Sequence, residues 1–449
     1  MEIIKIRKVN EVFLHVEASA GIKREMYEHF SFYAPNAKWH PKVKAKIWDG
    51  KIRLLDLRKS TIYVGLMRHI ALFCKDRGYG LDCDFEATDT SFSETEFDDI
   101  LEEFNLKFEP REYQRRAVIR AIRKKRVTFL SPTSSGKSFI IYLILRILGQ
   151  KSLLIVPTTS LVQQMRSDFA DYSENDPNWN VDDEVSIIMG GYSKNDLKQI
   201  TVSTWQSLQN LDQSWFDDND FHCIILDEAH GGKAAVLKSI MEKNKNAPYR
   251  IGLTGTLEDT EMSEFTISGL FGPIYSVIET SELIENKTLS DLTIKCITFD
   301  YLESTKKELM KKMKESKSAY NTEVEFIINH DNRNKFIKNL SLSLKGNTLI
   351  LFNRVEQHGK ILYNDLLKNS KGKKVFYVSG EIDAKTRESI RKTVDHNETV
   401  TLSFDGFEIS LHGDEEVPLV NGEFLSAVEV TVDHDIDEKW LEGKKNETK

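Results

Sequence analysis

The segment Ser131-Pro132-Thr133-Ser134-Ser135-Gly136-Lys137-Ser138 sets small residues, a lysine and a hydroxyl between two apolar runs. Its spacing is that of the phosphate-loop pattern Gly-x-x-x-x-Gly-Lys-Ser/Thr, with Ser131 in place of the first glycine. Small side chains let backbone N–H groups approach phosphate oxygens. In such a loop Lys137 bridges the β- and γ-phosphates of ATP, and the Ser138 hydroxyl holds Mg2+. Taken alone, the segment also reads as a serine-rich strand-to-helix turn. A second piece weighs against that plainer reading. Asp227-Glu228-Ala229-His230 follows the apolar run 223–226, about 90 residues after the loop. A carboxylate at the end of a buried strand suits Asp227 to reach the magnesium through water. Glu228 suits the role of general base on the attacking water. His230 would couple this site to Thr254-Gly255-Thr256, whose hydroxyls would sense the γ-phosphate.

Weaker signals fit the same site. Tyr113-Gln114 lies ahead of the loop, where a glutamine can read the adenine edge and an aromatic ring can stack; singly, such a pair is usually a helix start. Val156-Pro157-Thr158-Thr159-Ser160-Leu161 and Val202-Ser203-Thr204-Trp205-Gln206 offer hydroxyls and amides at strand ends. Thr158, Thr159 and Thr204 there suit contacts to a sugar-phosphate backbone.

The elements that must position these residues are strands. Apolar runs at 127–130, 152–156, 200–203, 223–226 and 250–253 alternate with helical patterns. That order predicts an α/β fold with a parallel sheet covered on both faces, its ligands at the carboxyl ends of the strands. Ahead of it, Ile4 and Ile6, then Val12, Leu14 and Val16, alternate as short strands. Helices are expected over 23–32 and 65–79, and Asp49-Gly50 marks a hairpin turn. Residues 1–105 read as a small α/β nucleic-acid-binding domain, and 106–280 as the ATP-binding domain. Residues 281–396 read as a helical connector plus a partial second α/β domain, with strands at 347–352 and 374–378. Residues 397–449 read as an acidic, β-rich tail.

The net charge is −8, which by itself does not suggest a polyanion as partner. Its distribution changes that. Residues 1–60 carry thirteen Lys/Arg against seven Asp/Glu, and residues 398–449 carry four against fourteen. The acidity sits at one end and leaves the rest free to meet nucleic acid. The four cysteines (Cys74, Cys83, Cys223, Cys296) form no close metal-type pair and suit a reducing cytoplasm. No apolar run approaches the ~20 residues of a membrane span, so no membrane partner is expected.

The ordered set Tyr113-Gln114, Pro132 to Ser138, Pro157 to Leu161, Ser203 to Gln206, Asp227 to His230 and Leu253 to Thr256 resembles the superfamily 2 DNA helicases. Phe30-Ser31-Phe32, the run from Trp48 to Asp56 and the run from Val375 to Glu381 narrow the resemblance to the UvsW-type helicases of T-even-like bacteriophages. It covers roughly residues 1–396. The resemblance implies RecA-like domains, ATP and Mg2+ as cofactors, and action in the cytoplasm of an infected host. It also implies a motor on branched DNA that reverses stalled forks, moves Holliday junctions and removes R-loops. Restriction-type translocases share such cores and remain an alternative.

Lys38, Lys42, Lys44, Lys46, Lys51 and Arg53, interleaved with Trp39 and Trp48, suit a surface that tracks a DNA backbone and stacks bases. On a strand, Lys42, Lys44 and Lys46 would share one face. The plainer account is an edge strand protected by lysines, with the tryptophans in the core.

The family's Gln-x-x-Gly-Arg-x-x-Arg motif, which reaches the nucleotide from the second domain, does not occur in this sequence. No next strand-and-helix unit is recognisable after residue 395. The alternation over 399–411 and the Asp405-Gly406 and Asn421-Gly422 turns read instead as antiparallel β. The expectation is therefore an interrupted second RecA-like domain. The chain would be an ATP- and DNA-binding fragment, or one half of a two-part helicase that meets a separate C-terminal half. The tail would come from an intein-like insertion or a truncated, diverged gene.

Overall fold

The structure, a computed structural model, describes residues 2–34, 37–85, 89–190, 192–195, 197–228, 234–255, 264–286, 296–344, 346–370, 372–380, 382, 384–395, 400–405 and 425–428. The chain divides into two compact units, residues 1–289 and 290–449.

The first unit opens with a four-stranded sheet in the order Thr61–Tyr63, Phe13–Glu17, Ile3–Lys8, Gly80–Cys83. Ile3–Lys8 pairs antiparallel with Phe13–Glu17 and parallel with Gly80–Cys83. The alternation in the sequence sets the buried face: Ile4, Ile6, Leu14 and Val16 are fully buried, while their neighbours reach the surface. Helices Ala20–His29 and Met67–Arg77 bring Ile22, Met26, Ile70 and Phe73 into the same core. The first of these lies about three residues earlier than its expected span.

The larger sheet has seven parallel strands in the order Ile274–Ser276, Arg126–Leu130, Tyr249–Thr254, Cys223–Asp227, Ser152–Val156, Ile200–Thr204, Val185–Ile188. The five strands expected from apolar runs are all present. Val185–Ile188 and Ile274–Ser276 are two further strands at the sheet edges, where strands bury less and carry a weaker apolar run. The helix after the phosphate loop, Lys137–Leu148, buries seven consecutive residues from Phe139 to Leu145, enough to cover all its faces, and packs against helices Glu112–Lys124 and Thr159–Tyr172. Arg250, the second residue of the interior strand Tyr249–Thr254, is fully buried. Its guanidinium donates to the carbonyl of Met241 in the last turn of helix Ala234–Lys243 and to those of Asn244 and Ala247 just beyond it.

The small sheet is docked on the large one. A methyl at Gly65 would collide with the carbonyl oxygens of Ser268 and Gly269 in helix Glu264–Phe271, so only glycine allows this approach. Beside it the Tyr63 hydroxyl donates to Glu242 at 2.5 Å. Arg126 pairs with Glu11 at 2.8 Å, and the Glu11 N–H donates to the Lys245 carbonyl. Apolar residues of both sheets share one core cluster.

In the second unit, helix Glu303–Glu315 buries nothing, as its lysine- and glutamate-rich sequence predicts. Strands Thr348–Phe352 and Lys374–Val378 are present as expected. Strand Val400–Asp405 lies between them, parallel to both. This corrects the expectation of an antiparallel segment from residue 397: the next strand of the second α/β sheet is there. Parallel and antiparallel strands share a period of two, so the alternation could not reveal which neighbours this strand would take. Leu425–Val428 does pair antiparallel, with Cys296–Phe299. Gly406 and Asn421-Gly422 lie outside the described residues.

Candidate nucleotide site

Two interior strands of the seven-stranded sheet bring the two halves of the expected chemistry together. Arg126–Leu130 delivers the loop Ser131–Gly136, and Cys223–Asp227 delivers Asp227 and Glu228. Tyr249–Thr254 runs between them, with Asp227 opposite Leu253 and Leu130 opposite Thr254. The loop is tied to this strand by the Ser131 N–H, which donates to the Thr254 carbonyl at 2.9 Å.

The loop holds its shape without its first glycine. Ser131 is fully buried, and its hydroxyl pairs with that of Ser135 at 2.6 Å; the Ser135 hydroxyl also lies 2.6 Å from the Pro132 carbonyl. The left-handed conformations fall instead at Ser134 (φ 67°) and Gly136 (φ 79°). A methyl at Gly136 would also collide with the Gln114 amide.

Tyr113 and Gln114 are both buried, and both donate to the Ser135 carbonyl at 3.0 Å. The Gln114 carbonyl oxygen accepts from the Arg111 N–H at 2.9 Å. Both side chains thus tie helix Glu112–Lys124 to the loop. Next to Tyr113 a cavity of about 290 Å³ is lined by Arg116, Arg120, Val277, Ile278, Glu279 and others.

Lys137 and Glu228 form a half-buried ion pair. Gly255 lies beside them, a Cβ there being 3.8 Å from the Lys137 ammonium nitrogen. Glu228 sits at φ 53°, a left-handed conformation unusual for a glutamate and typical of strain held at working sites. Asp227 is 4% exposed. Burial pushes its carboxyl up to about 6; the Lys137 charge opposes the shift and the Glu228 charge adds to it. Its Oδ1 is buried without a hydrogen-bond partner among the described residues. An orphaned carboxylate oxygen at a strand end is what a hydrated cation would satisfy. The Ser138 hydroxyl pairs with the Tyr172 hydroxyl at 2.7 Å, and burial pushes Tyr172 up to about 12. Tyr172 closes helix Thr159–Tyr172, and nothing in its sequence context signals this contact. His230 and Thr256 lie outside the described residues.

The residues proposed for DNA divide differently. Thr158 is exposed and caps helix Thr159–Tyr172, with exposed Thr159 after it. Thr204 is buried, and its hydroxyl caps the turn Trp205–Leu208. Gln206 reaches the Pro157 carbonyl at 3.4 Å, which brings these two strand-end motifs together. The expected strand carrying Lys42, Lys44 and Lys46 is a correction: Pro41–Lys44 is one helical turn, so Lys42 and Lys44 do not share a face. Pro41 at the first helical position and the His40 cap explain it. Lys46 follows at φ 57°. Trp48 is half-buried, its indole N–H donating to the Lys51 carbonyl at 3.0 Å. Lys51 pairs with Glu28 at 3.4 Å, and Arg53 pairs with Asp49.

Comparison with known proteins gives this geometry a context. Residues 4–84 match the family described as "DNA helicase UvsW, N-terminal", and residues 107–259 match "Type III restriction enzyme, res subunit". Over 411 residues the chain is 32% identical to the ATP-dependent DNA helicase uvsW of Enterobacteria phage T4, covering 88% of this chain and 78% of that one. It is 29% identical over 291 residues to the DNA 3'-5' translocase XPB2 of Sulfurisphaera tokodaii, covering 64% of this chain and 57% of that one. The crystal structure of T4 UvsW superposes with a TM-score of 0.57 at 28% identity, covering 90% of this chain and 80% of that one.

Proposed function

The chain belongs to the UvsW family of ATP-dependent DNA helicases, and on that premise we propose how its residues divide the work and which DNA they serve. The observation that carries the assignment is the Lys137–Glu228 ion pair beside the orphaned Asp227 oxygen. Lys137 exchanges Glu228 for the β- and γ-phosphates of ATP. The released Glu228 carboxylate then accepts a proton from the attacking water. Until that exchange the base is neutralised by the lysine, which limits water activation in the empty site. Magnesium, when bound, would neutralise charge building on the phosphates. Asp227 through water, and Ser138 once released from Tyr172, would hold it. Tyr113 and Gln114 pin the loop, and the cavity beside Tyr113 is the place for the base. His230 and Thr256 relay the state of the γ-phosphate, together with Thr254 and Gly255.

Glu228→Gln should reduce DNA-stimulated ATP turnover by at least about 100-fold while nucleotide binding persists. Lys137→Ala should lose both. Unchanged turnover in either variant overturns the assignment.

We further propose branched DNA as the substrate: stalled forks, Holliday junctions and R-loops, processed in the cytoplasm of an infected host. Among the described residues no helix is long and apolar enough to cross a membrane. Faster ATP-driven processing of a four-way junction than of linear duplex supports this reading, and equal rates refute it. A second reading is favoured by the lack of a Gln-x-x-Gly-Arg-x-x-Arg motif in the sequence. In it, a separate C-terminal half supplies the arginines. Turnover by this chain alone would then be near background and rise when that half is added.

A further inference from the structure

Among the described residues of the first unit, the three most exposed large apolar side chains belong to one short segment: Tyr33 (68%), Trp39 (72%) and Ile47 (77%). The segment leaves and rejoins the fold through the antiparallel pair Ser31–Tyr33 and Lys51–Arg53, with Tyr33 opposite Lys51. It is pinned from inside. The Ala34 N–H donates to the Gly50 carbonyl at 2.8 Å, the Ile47 N–H to the Lys42 carbonyl at 2.9 Å, and the Trp48 indole to Lys51. Trp48 is also edge-on to His40 at 5.3 Å. Water-exposed aromatics on a pinned segment need an explanation, because the same pins do not bury them.

The charges around them point to the occupant. Between residues 37 and 53 Asp49 is the one acidic residue, and it is paired with Arg53. Lys38, Lys42, Lys44 and Lys46 are exposed and have no carboxylate partner among the described residues. Lys44 lies over the Trp39 ring at 5.2 Å, and Lys51 over Tyr33 at 5.5 Å. Aromatic faces set among free cations match a polyanion that also presents flat rings. Paired duplex hides its base faces inside the stack, so along a duplex an exposed indole finds one only where bases are unpaired.

We propose that Trp39 is a stacking site for unpaired bases, with Lys44, which lies over its ring, on an adjoining phosphate and Lys42 on phosphates farther along the strand. Of the two tryptophans that the sequence offered for stacking, Trp48 is the internal pin. This deepens the branched-DNA reading and rests on it, since a branch point is where unpaired bases meet duplex.

Equilibrium binding of the full chain to blunt duplex, forked duplex and single-stranded DNA of matched length tests the proposal. Trp39→Ala should weaken binding to forked and single-stranded DNA about ten-fold and leave blunt duplex within about two-fold. Trp39→Phe should keep most of the affinity. Lys42→Ala with Lys44→Ala should weaken all three and flatten the dependence on salt. An equal loss on all three from Trp39→Ala, or no loss on any, overturns the proposal; the second result would leave the patch to a protein partner. If the unaltered chain binds fork and blunt duplex equally, the branched-DNA reading falls, and the single-stranded arm still decides the role of Trp39.

Discussion

Asp227 shows how a nucleotide site costs stability. In water an aspartate titrates near 4, whereas burial holds Asp227 near 6 in the fold. The native state therefore keeps a proton that the unfolded chain has released. The contribution of this residue to stability falls as pH rises from about 4 to about 6 and stays low above that. At pH 7.5 the buried charge costs on the order of 1–3 kcal/mol. Asp227→Asn should raise the urea midpoint at pH 7.5, and the gain should shrink by pH 5, where the native aspartate is mostly protonated. A gain that is the same at both pH values would rule out the buried charge as its cause. The same substitution should abolish magnesium-dependent turnover, so stability and activity move in opposite directions.

Helix Glu264–Phe271 links the two sheets of the first unit. It follows the strand carrying Thr254 and Gly255, and it packs against the turn Val64–Leu66 of the N-terminal sheet. Phe265 stacks on Phe32 and meets Phe30 edge-on, both at 6.4 Å. The element that follows the strand ending at Thr254 thus rests directly on the proposed DNA-binding module. Gly65→Val should break this contact and destabilise the first unit by about 3 kcal/mol, since backbone carbonyls cannot move aside as a side chain can. In conditions where the variant still folds, DNA should stimulate its ATP turnover less than in the unaltered chain, with DNA-free turnover changed less. Stimulation that stays intact would mean the contact carries no signal.

At the scale of the molecule, the shared core cluster makes the N-terminal sheet and the seven-stranded sheet one folding unit. The small core around Ile350, Leu362, Leu366 and Val375 belongs to the other. Calorimetry should therefore resolve two transitions, with no separate one for residues 1–105. Magnesium and a non-hydrolysable ATP analogue should raise only the transition of residues 1–289, by about 2.7 kcal/mol at a hundred-fold excess over Kd. Equal shifts in both transitions would mean that nucleotide engages both units.

The sequence alone determined what is local. Ser131–Ser138 and Asp227-Glu228 each follow a strand whose apolar run is legible, and the parallel sheet follows from the alternation of strands and helices. A backbone bend and the residue types it needs are written within a few positions. What the tertiary structure decided is who meets whom. Tyr172 reaches Ser138 from 34 residues away, and Glu228 reaches Lys137 from 91. Gly65 meets a helix some 200 residues on. Two tryptophans nine residues apart carry the same composition signal, yet one is pinned and the other exposed. Val400–Asp405 has the alternation of any half-buried strand, and only its neighbours make it parallel and central. A local pattern tells which face of a strand is buried, but the group that a residue meets lies far along the chain, and no local pattern names it.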